Sequence, residues 1–320
     1  MSELLKNIDA RTKLAGTNKL EILLFTLGLD QRSGRRETYG INVFKVREVM
    51  RTPEITQAPD MPSSVEGMVS LRGALVPVID LARYAGIQTE SRPEIMIVSE
   101  YNGHTQGFLV EAVDTILRLD WSVMRVPPDM LTMQMGGLVT AVTELENGKL
   151  VMMLDVEKVL AETTQNSNRV DTTTVVQNQK VVNKTVFFAD DSLVARSQIE
   201  QTLDAMNIRH IHAINGKRAW EELLRIAQAA EIQGMAVKDM VHLVLTDVEM
   251  PEMDGYMLTK QIKSDPRFAG IPVLMHSSLS GLSNQKLGQS VGVDGYVAKF
   301  EPHKLSQSIA NFLLRNEPTV

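Results

Sequence analysis

Cysteine is missing from this chain, which excludes disulfides, thiolate metal sites and a thiol nucleophile together. Aromatic residues are scarce, at 5%, and no stretch approaches the roughly eighteen consecutive apolar residues that a membrane span requires. The opening residues, MSELLKNIDARTKLAG, scatter charges among their apolar side chains and offer neither the apolar core nor the cleavage site of a secretory signal. A cytoplasmic protein with no direct membrane insertion is therefore expected. A basic excess is also lacking: residues 184–320 carry 14 Lys and Arg against 16 Asp and Glu, and the remainder carries 19 against 23. Neither half has the electrostatic footprint of a nucleic-acid binder. His104 stands alone, no GxSxG occurs, and Gly216-Lys217 lacks the upstream glycine of a phosphate-binding loop.

What is present divides in two. At about 150 residues per domain, 320 residues suggest two domains, and the polar stretch TTQNSNRVDTTTVVQNQ within 163–183 cannot bury much of itself and reads as a linker. Before it, short Val-, Ile- and Leu-rich runs at 21–28, 67–73, 74–80, 94–100 and 106–119 read as strands, and GLVTAVTELENGKLVMML reads as a hairpin turning at Asn147-Gly148. One pattern recurs: ALVPVIDLARYAG and KLVMMLDVEKVLA each run from an apolar strand through an aspartate into a short amphipathic helix. Asp80 and Asp155 are placed as helix N-caps rather than as catalytic groups, and the repetition implies two similar halves of an all-β, double-barrel domain.

Beyond the linker the period becomes strand, helix, strand, helix, with strands at 185–189, 210–214, 241–246, 272–277 and 295–300. In SLVARSQIEQTLDAM, Val194, Ile199, Leu203 and Met206 fall near three-to-four spacing behind a capping Ser192. Five such units predict an α/β doubly wound, five-stranded parallel sheet with its site at the carboxyl ends of the strands. Asp190 and Asp191, Asp247, Ser277 and Lys299 all stand at such ends. Three carboxylates, a hydroxyl and an ammonium suit a divalent cation and a phosphoryl group. His210 and His212 share one strand face, but without a third ligand a structural role is expected.

Through FFADDS, LTDVEMPEMDG, Ser277 and GYVAK, residues 184–320 resemble a response-regulator receiver domain. Through YGINVFKVREVM, GMVSLRGALVPVIDL and LVMMLDVEKVL, residues 19–163 resemble the chemotaxis coupling protein CheW. A CheW-like domain followed by a receiver is the arrangement of the CheV family of coupling proteins, with a tail at 1–18 and a linker at 164–183. The resemblance implies an adaptor, not an enzyme beyond any self-dephosphorylation, that couples the cytoplasmic tips of chemoreceptors to the CheA histidine kinase in membrane-associated arrays. It implies Asp247 as phosphoacceptor and Mg2+ held by Asp190, Asp191, Asp247 and the main-chain carbonyl of Glu249. Lys299 and Ser277 would contact the phosphoryl group and Tyr296 would be the switching ring. Arg72, in SLRG, would meet a partner. Tyr296 also reads as ordinary half-buried packing, and Arg72 as a solvated turn charge.

Three departures from the receiver pattern stand out. Phe300 follows Lys299 where proline is usual, AQAAEIQGMAVKDM is long for the link between second helix and third strand, and Glu249 puts a carboxylate two residues after the phosphoacceptor. The last implies an altered phosphoryl lifetime. Besides phosphorylation-tuned coupling, a phosphate sink, a constitutive scaffold with a silent receiver, and a Mg-dependent aspartyl phosphohydrolase of the haloacid dehalogenase type stay open. The last normally has a second Asp two residues on, where this chain has Glu249.

Overall fold

The computed structural model describes residues 18–57, 61, 64–90, 93–101, 104–163, 181–278, 290–299 and 301–315. The chain forms two compact units, one built on residues 20–163 and one on residues 181–315.

Strands of the first unit are β1 (Lys19–Thr26), β2 (Thr38–Asn42), β3 (Val46–Arg51), β4 (Val65–Leu71), β5 (Ala74–Asp80), β6 (Ile95–Tyr101), β7 (His104–Val110), β8 (Ala112–Asp120), β9 (Val139–Glu144) and β10 (Leu150–Leu154). They form two five-stranded sheets, ordered β8-β1-β2-β10-β9 and β3-β6-β7-β5-β4, which are the two expected halves. Alternation along each strand explains why they need each other. Leu23, Phe25 and Ile41 of one sheet and Ile79, Ile97 and Phe108 of the other share a central core. The intervening residues Ile22, Leu24 and Val151 bury in a separate cluster on the first sheet, and Val78, Met96 and Leu109 in another on the second. Successive side chains point to opposite faces, so strands buried on both faces read as unbroken apolar runs.

The run at 106–119, expected as one strand, is two strands in different sheets. β7 ends at Val110 and β8 begins at Ala112. Between them Glu111 donates its N–H to the Thr26 carbonyl at 2.9 Å, and its carboxylate accepts from Thr26 Oγ1 at 2.9 Å and Arg36 at 3.0 Å. Apolar residues continue on both sides, so the sequence does not reveal the break. The hairpin between β9 and β10 forms as expected, but Gly148 alone of the turn pair takes a positive φ, at 77°. Asn147 contributes through its side chain, which accepts from the Lys149 N–H at 3.0 Å. Both repeated aspartates are caps: Asp80 accepts from Arg83 N at 3.0 Å ahead of the helix Leu81–Tyr84. Asp155 accepts from Glu157 N at 3.1 Å and Lys158 N at 3.0 Å ahead of the helix Val156–Thr163. The Tyr84 hydroxyl donates to Glu162, joining the two helices.

In the second unit β11 (Thr185–Ala189), β12 (Arg209–Ala213), β13 (Leu243–Thr246), β14 (Val273–Ser277) and β15 (Gly295–Ala298) form one sheet in the order β12-β11-β13-β14-β15. Every pairing is parallel. Val186 and Phe188 pack with the helices Leu193–Ala205 and Pro302–Arg315 on one face. Phe187 and Ala189 pack with the helices Gly216–Gln233 and Gly255–Ser264 on the other. Val194, Ile199, Leu203 and Met206 are all buried, as their spacing predicted. Val181, placed in the linker by sequence, is buried in the first of these clusters; the rest of that segment up to 180 lies outside the described residues.

The long second-helix segment is accommodated by length: the helix runs 18 residues to Gln233, ends on Gly234 at φ 67°, and a short helix, Val237–Met240, leads back to the sheet. His210 and His212 face carboxylates of the first helix, at 3.1 Å from Asp204 and 3.1 Å from Glu200 respectively, and both rings lie against Phe188. This fits a structural role.

At the other end of the sheet, His242 Nδ1 accepts the Thr185 N–H at 3.1 Å, and burial lowers the His242 pKa from the ordinary 6.5. A depressed folded-state pKa contributes stability that is present above the unfolded value and lost as pH falls below it. We expect thermal stability to decline from pH 7.5 to 5.5, and His242→Gln, which keeps an acceptor but does not titrate, to decline less. Equal slopes for the two proteins would sink this reading.

Candidate phosphoacceptor pocket

β11 has β12 on one side and β13 on the other, so strand order reverses beside it and the crevice at the strands' carboxyl ends opens there. Asp190 and Asp191 follow β11, Asp247 follows β13, Ser277 ends β14 and Lys299 follows β15. The parallel register brings residues as far apart in the chain as Asp190 and Lys299 to one edge.

Local hydrogen bonds hold the two acidic loops. Asp190 Oδ1 accepts from Ser192 N at 3.0 Å, and the Ser192 hydroxyl caps the following helix by accepting from Ala195 N at 3.4 Å. Arg196 donates to the Asp190 carbonyl at 2.8 Å. The Asp247 N–H donates to the Ala189 carbonyl at 2.8 Å, and Asp247 Oδ1 accepts from Val248 N at 2.6 Å. Gly255 opens the next helix so close to this loop that a Cβ there would stand 2.0 Å from the Asp247 carbonyl oxygen. That accounts for the DG in EMDG: Asp254 caps the helix by accepting from Met257 N at 2.6 Å, and only glycine fits beside it.

The charges converge. Lys299 Nζ lies 2.9 Å from Asp247 Oδ2 and 3.0 Å from Asp190 Oδ2, with Asp190, Asp247 and Lys299 all buried. Carboxylate oxygens of Asp190, Asp191 and Asp247 lie within 4.8 Å of one another. One ammonium offsets one of three carboxylates, leaving two negative charges in a site shielded from water, where repulsion between like charges is least screened. A divalent cation with oxygen preference matches this donor set in charge and chemistry, and among the described residues no other His or carboxylate cluster is so compact. Ser277 and Glu249 are both buried at the same edge. Tyr296 lies on β15 opposite Met275 and packs, partly exposed, against Val248, Tyr256 and Met275. Phe300 lies outside the described residues; Lys299 reaches both carboxylates.

One pocket residue was not singled out from the sequence. His276 is buried on β14 with Nδ1 3.9 Å from Asp190 Oδ2. Its signal was a histidine inside the apolar strand VLMHS, a place where a titratable side chain needs a polar neighbour.

The other singled-out residue, Arg72, belongs to the first unit. It occupies the two-residue turn between β4 and β5 with Gly73, at φ 50° and 84°, and pairs with Glu48 of β3 at 2.9 Å. A left-handed conformation is unusual for arginine. The guanidinium is largely exposed and Leu75 beside it is 72% exposed, so the turn presents a charge and an apolar side chain together.

Residues 21–164 match the CheW-like domain family and residues 186–310 the response regulator receiver domain family. The chain is 28% identical to chemotaxis protein CheV3 of Helicobacter pylori over 309 residues, covering 93% of this chain and 96% of that protein. It is 31% identical to chemotaxis protein CheW of Klebsiella aerogenes over 159 residues, 47% of this chain and 87% of that one. A third relative, chemotaxis protein CheY1 of Helicobacter pylori, is 31% identical over 130 residues, 40% of this chain and 95% of that one.

Proposed function

Because the chain belongs to the CheV family of chemotaxis coupling proteins, in which a CheW-like domain is joined to a response-regulator receiver domain, we propose that it is a coupling adaptor tuned by phosphorylation of Asp247. It is a signalling adaptor rather than a classical enzyme. The observation that carries the finer reading is the bridge from Lys299 to Asp247 and Asp190 beside a third carboxylate.

A carboxylate is a weak nucleophile that must here approach an anionic phosphohistidine, so positive charge has to gather around both. Lys299 supplies one charge. Mg2+ would supply two more, held by Asp190, Asp191, Asp247 and the Glu249 main-chain carbonyl, and would neutralise phosphoryl oxygens. Asp247 forms the new P–O bond as the bond to the donor histidine breaks, and Lys299 turns to the transferred group. The Ser277 hydroxyl then hydrogen-bonds it, and Tyr296 responds to the space Ser277 leaves. Glu249, buried beside the acceptor, acts on the water that hydrolyses the acyl phosphate and changes its lifetime.

The donor would be the CheA kinase and the coupled sensors the cytoplasmic tips of chemoreceptors, at arrays on the membrane. No helix among the described residues is long and apolar enough to cross a membrane. On this reading the chain divides into a tail at 1–18, a coupling domain at 19–163, a linker at 164–183 and a receiver at 184–320, with Val181 at the end of that linker packed into the receiver core. The test is transfer of labelled phosphate from phosphorylated CheA in the presence of Mg2+. Label on this protein supports the reading, and its absence returns the chain to a constitutive scaffold.

Arg72 is the proposed contact to the kinase. Arg72→Glu should weaken CheA binding about tenfold or more, since reversing a charge both removes a pair and adds repulsion. Arg72→Asn, whose side chain tolerates the left-handed turn, should weaken binding while raising stability by about 0.5 kcal/mol. Titration calorimetry and thermal melting check the two halves separately; unchanged affinity in both variants would remove Arg72 from the interface.

A further inference from the structure

His276 lies in the pocket, 2% exposed, and the chemistry above gives it no task. Strand register fixes where it stands. Thr246 of β13 pairs with Ala189 of β11 on one side and with Met275 of β14 on the other, so the next residues, Asp190, Asp247 and His276, form one row across the sheet. Phe188, Leu245, Leu274 and Val297, each two residues before Asp190, Asp247, His276 and Lys299 respectively, all pack in one cluster. By alternation the four polar groups project from the end of that same apolar face. Lys299 Nζ is shared among them, 2.9 Å from Asp247 Oδ2 and 3.0 Å from Asp190 Oδ2. His276 Nδ1 stands 3.9 Å from the same Asp190 oxygen, roughly 1 Å too far for a hydrogen bond of ordinary length.

We propose that His276 is a positioning residue that takes over Asp190 from Lys299: when the ammonium turns to the phosphoryl group on Asp247, the ring closes the 3.9 Å gap and donates Nδ1–H to Asp190 Oδ2. This rests on the reading of Asp247 as phosphoacceptor and of Lys299 as the group that turns. Asp190 is at 0% exposure, where no water can replace a donor that leaves, so a carboxylate losing one bears the full cost of its burial. A histidine already inside the site meets that loss at little expense. Its ring turns about a broad χ2 torsion, and the handover needs a proton on Nδ1 but no change of charge. Asp190 thereby keeps its orientation toward the cation while Lys299 is engaged elsewhere.

The experiment is NMR of the full chain with 15N-labelled histidine, which places a probe on all 6 histidines; His276→Leu assigns the signal. Beryllofluoride, a mimic of the aspartyl phosphate, is titrated in at saturating Mg2+, and its own bound 19F signal reads occupancy. His276→Leu fills the space without a donor, whereas His276→Asn places an amide N–H near the position of Nδ1; melting curves check that both fold. The expected result is a wild-type Nδ1–H signal that moves downfield as beryllofluoride binds. His276→Leu should need about tenfold more beryllofluoride for half occupancy, the effect of leaving one buried charged acceptor without its donor, and His276→Asn should recover most of that loss. A wild-type Nδ1 that carries no proton, or whose signal stays fixed while 19F shows the mimic bound, would overturn the proposal. So would equal weakening in His276→Leu and His276→Asn, which is the mark of packing alone, or wild-type affinity in both. No bound 19F signal in the wild type would instead overturn the reading of Asp247 as phosphoacceptor, and this proposal with it.

Discussion

Asp247→Asn should reduce uptake of phosphate from phosphorylated CheA more than a thousandfold, to background, with the fold intact. Losing a nucleophile removes the bond-forming atom itself, so the effect is of the order seen when catalytic nucleophiles are deleted. The amide is nearly isosteric: its one oxygen can keep the bond from Val248 N, while its NH2 replaces the oxygen that now accepts from Lys299 Nζ. The neighbouring carboxylates cannot substitute. Asp190 is fully buried, with Oδ1 committed to Ser192 N and Oδ2 to Lys299. Asp191 lies on the adjacent loop rather than at the end of β13, so an attacking oxygen there would come from another direction. Label transfer measured beside the wild type decides the matter. Equal label on Asp247→Asn would refute the assignment of Asp247, whereas label on neither protein would point to a silent receiver.

Lys299→Met should have the second largest effect, and it should be visible without a kinase. The substitution keeps the aliphatic stem but strands Asp190 and Asp247 in a site from which water is excluded. Breaking a buried pair by removing one partner costs about 3–5 kcal/mol, which for a domain of this size lowers the melting temperature by roughly 10 °C in the presence of a chelator. Saturating Mg2+ should restore much of that loss, because two charges on an ion replace the one removed. In the wild type the stabilisation by Mg2+ should be smaller. Phosphoryl transfer with Mg2+ should still fall about a hundredfold, since an ion cannot occupy the ammonium's place on the transferred group. If Lys299→Met melts with the wild type in chelator, the pair at 2.9 and 3.0 Å contributes nothing to folding. If Mg2+ fails to rescue it, the acidic cluster is not a cation site.

Much of this pocket could be read along the chain. Asp190, Asp191, Asp247, Ser277 and Lys299 each follow an apolar run of strand length, and in a parallel sheet that position alone assigns them to one edge. The capping roles of Asp80, Asp155 and Ser192 were equally local, since each depends on a side chain and the amides two or three residues on. His276 was hidden because its strand is apolar on both sides, and only the sheet order, with β13 between β14 and β11, brings its ring toward Asp190.

The amino-acid sequence by itself determined the strand and helix segments, the change of period after the linker, the caps and the residues at the strand ends, because these follow from hydrophobic periodicity and short-range hydrogen bonding. Tertiary structure alone decided three things: that the run 106–119 splits at Glu111 between two sheets, that Lys299 bridges Asp190 and Asp247, and that Arg72 accepts a left-handed turn. Each depends on which distant groups are close enough to satisfy a buried polar atom or to offset backbone strain, and that proximity is set by the packing of the whole unit rather than by any local stretch of chain.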